Sequence, residues 1–240
     1  TGIFEDYTKA AGHLKAGAKR VIISAPGKGV EGEGGITVLM GLNEDRLAGY
    51  AVTSNASCTT NAVSPLAAVL MKDPGIKKAA LSTVHAYTAT QRVVDGPDAK
   101  DWRRGRAGAQ NIVPSTTGAA ISVAKTLPDL DGKFDGISIR VPVSTGSLVD
   151  FTFVASRKTS VEEINDIFRK AAAEPRWKGI LAVTDEQLVS SDIVGNPHGS
   201  IVDLTFTKVI DGDLVKVLAW YDNEWGYGAT LLQHVRKAGA

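Results

Sequence analysis

Ile201-Val202-Asp203-Leu204-Thr205-Phe206-Thr207 and Leu214-Val215-Lys216-Val217-Leu218-Ala219-Trp220-Tyr221, joined across Asp211-Gly212-Asp213, form the stretch that decides the fold class. Both arms are rich in β-branched and aromatic residues, which suit a pleated, half-buried surface. An Asp-Gly turn between two such arms is a hairpin signal. Two strands that return on each other imply an antiparallel sheet.

Working outward, residues 148–155, 137–141 and 80–84 read as further strands, and the last of them delivers His85 at its end. Alternation in 137–141 aims Ser138 and Arg140 to one side. Residues 59–71, 119–127, 161–173 and 228–237 read as helices, the third opened by the capping pattern Ser160-Val161-Glu162-Glu163. Pro65 inside the first of these is expected to kink it or shift its first turns. The resulting fold class is an α+β domain with a largely antiparallel sheet and helices on one side. Ahead of it, a helix over 7–14, a strand over 20–24 and strand-like runs at 36–40 and 50–53 read as the tail of an α/β domain. A helix feeding straight into a strand is the middle of an α/β unit, so further units are expected before Thr1. Residues 86–115 form a long polar stretch with a basic centre, Arg103-Arg104-Gly105-Arg106, which favours a functional loop. The glycines of 27–35 read as hairpin loop residues.

The 240 residues are 43% hydrophobic and 22% charged, an ordinary globular composition able to bury a substantial core. A net charge of +1 offers no field for nucleic acid or an anionic membrane, so anions must be recognised by locally placed groups. No apolar run approaches the roughly 20 residues of a membrane helix, and no signal segment opens the chain; it reads as cytoplasmic. A single cysteine excludes an internal disulfide, and four scattered histidines show no zinc-type spacing.

That cysteine stands in Ser54-Asn55-Ala56-Ser57-Cys58-Thr59-Thr60-Asn61, between a strand and a helix. The bland reading is a buried small hydrophobe. Against it, a helix N-terminus favours a thiolate and should lower the thiol pKa from about 8.5. Ser57 and Thr59 leave the sulfur accessible, where a structural cysteine would sit among aliphatic residues. His85, in Ser82-Thr83-Val84-His85-Ala86-Tyr87-Thr88, is the natural partner, since His13, His198 and His234 lie in helices or turns.

Five blocks in register now carry a resemblance: Ala56-Ser57-Cys58-Thr59-Thr60-Asn61, Thr83-Val84-His85-Ala86-Tyr87-Thr88, Pro114-Ser115-Thr116-Thr117-Gly118-Ala119-Ala120, Arg140-Val141-Pro142 and Trp220-Tyr221-Asp222-Asn223-Glu224-Trp225-Gly226-Tyr227. Their order resembles that of phosphorylating glyceraldehyde-3-phosphate dehydrogenases, over essentially the whole chain. The resemblance implies that Cys58 attacks glyceraldehyde 3-phosphate to give a thiohemiacetal, that hydride passes to NAD, and that inorganic phosphate cleaves the resulting thioester to 1,3-bisphosphoglycerate. His85 would move the protons, and the backbone N–H of Cys58 would face the oxyanion. Arg140 and Thr88 match the substrate-phosphate site. Ser57, Thr59, Thr117, Gly118 and Arg104 match the inorganic-phosphate site, while Arg103 and Arg106 read as solvated.

The resemblance further implies that residues 1–57 are the C-terminal remnant of a Rossmann-type NAD-binding domain, 58–223 the catalytic domain, and 224–240 a helix returning toward the former. The glycine-rich dinucleotide fingerprint would precede Thr1, so the chain is expected to be a fragment that is inactive alone. Thr1, Gly2, Ser24 and Ala25 match the edge of the nicotinamide and ribose pocket, Asn223 the carboxamide ligand, and Tyr227 a neighbour of the ring. Gly96-Pro97 resembles NAD-using members more than NADP-using ones. Full-length members are homotetramers, with the 86–115 loop reaching toward a neighbour's cofactor site. The chain departs from the pattern at Ala62, where a second cysteine is frequent, and in a longer glycine-rich insert over 30–35 that has no functional account. Erythrose-4-phosphate dehydrogenase is the alternative within the superfamily, although the wording around His85 and Thr117 resembles the triose enzyme. A non-catalytic phosphate-binding fragment and a cofactor-free thioester hydrolase are the other competing classes.

Overall fold

The computed structural model describes residues 2–99 and 101–239. Two sheets organise it. A three-stranded parallel sheet holds β1 (Val21–Ile23), β3 (Val52–Ser54) and β2 (Ile36–Thr37) in the order β1-β3-β2. Two short helices, α1 (Tyr7–Ala10) and α2 (Gly12–Lys15), precede β1. Because β2 lies on the far side of β3 from β1, the glycine-rich segment is a crossover and not the hairpin the sequence suggests.

The second sheet has seven strands: β4 (Ile76–Ala86), β5 (Val113–Thr116), β6 (Phe134–Val141), β7 (Ser147–Ala155), β8 (Leu181–Thr184), β9 (Ser200–Ile210) and β10 (Leu214–Tyr221). Their spatial order is β5-β6-β4-β7-β10-β9-β8. The pairs β4/β6 and β8/β9 are parallel and the other four antiparallel. The 211–213 turn joins β9 to β10 as its Asp-Gly composition requires, with Asp211 at φ 47° and Gly212 at φ 74°. β8 was absent from the sequence reading, its four residues being too few to show a period.

Helices α3 (Cys58–Lys72), α4 (Ala119–Thr126) and α5 (Val161–Ala172) cover one face of this sheet, and α6 (Trp225–Gly239) packs on α3. Ser160 caps α5 by accepting from the Glu163 amide at 3.2 Å, as its sequence pattern predicts. α3 runs through Pro65 without interruption. Every residue of it from Thr59 to Leu70 is buried, and that packing outweighs the hydrogen bond a proline forgoes. In β7 and β10 burial alternates strictly, with Val149, Phe151, Phe153, Val215, Val217, Ala219 and Tyr221 facing the helices. Leu66, Leu70, Leu81, Phe168 and Trp177 complete the core. No helix among the described residues is long and apolar enough to cross a membrane.

α6 also reaches back to the parallel sheet. His234 is fully buried, its Nε2 2.9 Å from Thr53 Oγ1 and its Nδ1 3.1 Å from Asn55 Oδ1. Tyr227 Oη donates to Ala56 O at 3.0 Å. The segment that leads into α3 is therefore held from β3 on one side and from α6 on the other.

Candidate active site

The site is assembled where β3 turns into α3. Ala56 adopts φ 54°, a left-handed conformation that costs an L-residue roughly 1–2 kcal/mol. The Tyr227 bond to its carbonyl and a 3.0 Å bond from its N–H to Ser54 Oγ hold it there. Beyond this elbow Ser57 caps the helix, its Oγ accepting from Thr60 N–H at 3.0 Å, and Cys58 becomes the first helical residue. A first-turn N–H has no intrahelical acceptor, which leaves the Cys58 amide free to donate, and the Thr59 N–H bonds the sulfur.

β4 brings His85 to the same place. Its Nε2 lies 3.4 Å from Cys58 Sγ, and its Nδ1 lies 2.7 Å from Ala86 O. A base needs the hydrogen on Nδ1, where the Ala86 carbonyl accepts it, so that the Nε2 lone pair faces the thiol; the Arg140 guanidinium, a donor only, meets the same Nδ1 and favours the opposite tautomer. Parallel pairing of β4 with β6 makes Arg140 the cross-strand neighbour of His85; Arg140 Nη1 is 2.6 Å from Nδ1 and donates to Ala86 O at 3.1 Å. Tyr221, which the sequence reading left in the strand core, completes the frame. Its hydroxyl lies 2.9 Å from Thr59 Oγ1 and 2.8 Å from Thr83 Oγ1, and its ring meets the imidazole edge-on at 5.9 Å. The available signal was its phase with Val217 and Ala219, since a tyrosine buried on that face must find hydroxyl partners. His13 and His198 make no bond to Cys58, and His234 is the structural contact described above.

The electrostatics differ from the sequence expectation of an acid-shifted thiol. Burial pushes the Cys58 thiol up, opposed by the Thr59 N–H and the Arg140 charge and reinforced by Glu224. Burial first, then the Arg140 charge, lowers His85 to about 4, against a weaker contribution from the Ala86 carbonyl. Both shifts favour the uncharged forms, a thiol facing an imidazole. Burial alone lowers His234 to about 4 as well.

These two shifts make stability depend on pH. An imidazole whose pKa falls on folding from an ordinary 6.5 to about 4 stabilises the fold fully above 6.5, and that stabilisation fades between 6.5 and 4 as the unfolded chain takes up the proton. Each residue accounts for up to about 3 kcal/mol over that window. The urea midpoint is expected to fall on acidification across it, and His234→Gln to flatten the fall; an unchanged slope in His234→Gln would refute this origin.

Of the phosphate-matching residues, Ser57 and Thr59 adjoin Cys58 in the chain and Arg140 contacts His85. Arg140 and Arg104 are half-buried, and the Nε of each is buried without a hydrogen-bond partner among the described residues. Their charges repel one another, and Arg104 Nε lies 3.9 Å from Asp101 Oδ2. Two converging guanidiniums with unused donors suit an anion. Thr117 Oγ1 accepts from Ala119 N–H at 3.2 Å, and Gly118 is the N-cap of α4. Thr88 is half-buried, with its hydroxyl 2.9 Å from that of Thr90. Neither Thr88, Thr117 nor Gly118 is bonded to Cys58, His85 or Arg140. Ser57 Oγ lies 2.7 Å from Thr60 Oγ1, and the Thr59 hydroxyl is engaged by Tyr221. Arg106 is exposed and pairs with Asp95 at 3.0 Å.

Of the cofactor-matching residues, Thr1 lies outside the described residues. Gly2, Ser24 and Ala25 come together with Phe4, Glu5 and β1 around a cavity of about 330 Å³. Asn223 is buried, and its Oδ1 accepts from Gly146 N–H at 3.1 Å and from Ser147 Oγ at 2.8 Å. With the oxygen occupied, the Nδ2 end is the one left to donate, and among the described residues it bonds Glu224 at 3.2 Å. Tyr227 is committed to Ala56 and has its phenol raised by burial to about 12. No group of His, Cys, Asp and Glu among the described residues is placed to hold a metal.

Comparison with known proteins agrees with this arrangement. The C-terminal domain of glyceraldehyde 3-phosphate dehydrogenase matches residues 57–223. The glyceraldehyde-3-phosphate dehydrogenase of Mycobacterium tuberculosis (strain ATCC 25618 / H37Rv) is 52% identical over all 240 residues, which cover 69% of that protein. The enzyme of Mycolicibacterium smegmatis is 51% identical over 240 residues, covering 68% of it. Glyceraldehyde-3-phosphate dehydrogenase B of Aspergillus oryzae is 49% identical over 232 residues, 97% of this chain and 68% of that one. The matched domain spans Cys58, His85, Arg140 and Asn223, and about half of all residues are shared from end to end; the chain belongs to the glyceraldehyde-3-phosphate dehydrogenase family.

Proposed function

We propose that Cys58 and His85 perform the oxidation and phosphorylation of glyceraldehyde 3-phosphate, and that two phosphate sites flank them. The observation that carries this reading is the 3.4 Å approach of His85 Nε2 to a sulfur at the first position of α3, with Arg140 beside the ring. His85 takes the thiol proton as Sγ adds to the aldehyde carbon, so no free thiolate is needed beforehand. The oxyanion forms against the Cys58 amide, where an unpaired helix-start N–H and the dipole both favour negative charge. A nicotinamide cofactor, when bound, supplies the hydride acceptor. Asn223 Nδ2 would hold its carboxamide, and Gly2, Ser24 and Ala25 would border its nicotinamide and ribose. Arg140 and Thr88 hold the substrate phosphate, while Ser57, Thr59, Thr117, Gly118 and Arg104 orient the attacking phosphate. His85, now protonated, returns its proton as the acyl phosphate leaves.

NAD is preferred over NADP on the Gly96-Pro97 resemblance. Residues 1–57 serve the cofactor domain, 58–223 the catalysis, and 224–240 the helix that rejoins them. The working assembly is a homotetramer. Its support is the sheet face turned away from the helices, where Val84, Ile139, Leu148, Val154, Leu218 and Trp220 are only half-buried and Ile137 is exposed. The test is aldehyde-dependent reduction of NAD and of NADP by an N-terminally extended form of the chain, each with and without inorganic phosphate. Phosphate-dependent turnover that prefers NAD is expected. Phosphate-independent turnover would rule out the acyl-phosphate product, and equal use of the two cofactors would rule out the NAD preference.

A further inference from the structure

Glu31 comes from the glycine-rich insert. Its Oε1 accepts from Tyr7 Oη at 2.6 Å and from Thr37 Oγ1 at 2.9 Å, and its Oε2 from Thr37 N–H at 2.7 Å. The same carboxylate meets Lys125 Nζ at 3.1 Å, with both side chains about three-quarters covered, at 24% and 22% exposure. Tyr7 is fully buried between two glycines. A Cβ on Gly27 or on Gly35 would fall 2.4 Å from its ring, so the close approach itself requires glycine at both positions.

Lys125 continues the connection. Its Nζ donates to Gly27 O at 3.0 Å, and Gly27 N–H donates to Ser54 Oγ at 3.0 Å. Ser54 Oγ in turn donates to Ala25 O at 2.6 Å and accepts from Ala56 N–H at 3.0 Å. One unbroken series of bonds thus runs from the insert, through the last turn of α4, past the cofactor-matching Ala25, to the elbow that presents Cys58. α4 has only eight residues and buries the small Ala119, Ala120, Ser122 and Val123. A helix that short does not hold its position by its own stability, and its placement depends on what grips its ends.

We propose that the Glu31–Lys125 pair is a brace: it sets the start of α4, where Thr117 and Gly118 lie, at a fixed distance from the Cys58 elbow, and makes Glu31 and Lys125 positioning residues for phosphate. The brace rests on the reading of Thr117 and Gly118 as phosphate-site residues. It also accounts for the insert, whose length delivers Glu31 across the face of Tyr7.

The test is alkylation of Cys58 by iodoacetate in the intact chain, with inorganic phosphate as the protecting probe. In Lys125→Met, half-protection is expected to need about five-fold more phosphate, with the rate in the absence of phosphate within about two-fold of the parent. Lys125→Arg, which keeps the charge and the reach, restores the parental value. Glu31→Gln keeps an acceptor for Tyr7 but drops the ion pair and serves as the second variant; it is expected to weaken protection in the same direction. Unchanged protection in Lys125→Met and Glu31→Gln, against clear protection of the parent, overturns the brace alone. A parent chain that phosphate does not protect at all overturns the phosphate-site reading and the brace with it.

Discussion

Serine in place of Cys58 is expected to lower aldehyde oxidation by at least about 10³-fold, roughly 4 kcal/mol of barrier. The substitution removes one atom's worth of polarisability and changes little else, since the Ser57 cap, the Ala56 elbow and the helix-start amide stay in place. What it removes is decisive. A hydroxyl is a far weaker acid than a thiol, so the same imidazole removes its proton far less readily during attack. An alkoxide ester is also a poorer acyl donor to phosphate than a thioester. In the N-terminally extended form, pre-steady-state measurement should show a burst of cofactor reduction in the parent and none in Cys58→Ser, and intact mass should show an acyl adduct only in the parent. A variant that retained more than a tenth of the parental rate would mean that the sulfur is not the nucleophile.

The second large effect concerns His85. Asparagine there keeps a polar group able to donate to Ala86 O but offers no base, and kcat is expected to fall by about 10²–10⁴-fold with KM little changed. The pH profile makes the assignment specific. Burial and the Arg140 charge keep the imidazole neutral down to about 4, so the acid limb of the parental rate should lie near that value and not near an ordinary 6.5. The base form is the active one; a lowered pKa therefore extends activity toward acid. In His85→Asn this limb disappears, and the residual rate climbs with pH as the thiol, itself pushed up by burial, ionises unaided. An acid limb that persisted in the variant would assign it to another group and remove His85 from the base role.

Much of this protein was legible before any coordinates. The Asp211-Gly212 turn and its flanking alternation specified an antiparallel pair, and Ser160 with Glu163 marked the start of α5. The strand-to-helix junction at Ser57-Cys58, and a histidine at the end of a strand, followed from residues within a few positions of each other. Turn chemistry, caps and periodicity are local interactions, so neighbouring letters suffice to reveal them.

What escaped that reading was set by neighbours distant in the chain. The order β5-β6-β4-β7-β10-β9-β8 places Arg140 against His85 across 55 positions, and no spacing in the sequence encodes that contact. Tyr221 joins Thr59 and Thr83 from 162 and 138 positions away. Pro65 passes through a helix because its surroundings are packed. The glycine-rich insert is a crossover because β3 lies between its two strands, and its carboxylate is claimed by Tyr7 and Lys125. The thiol illustrates the difference most directly. The helix start favours ionisation of Cys58, but the sign of its shift comes from desolvation, which depends on everything that excludes water from the sulfur and so exists only once the chain has folded.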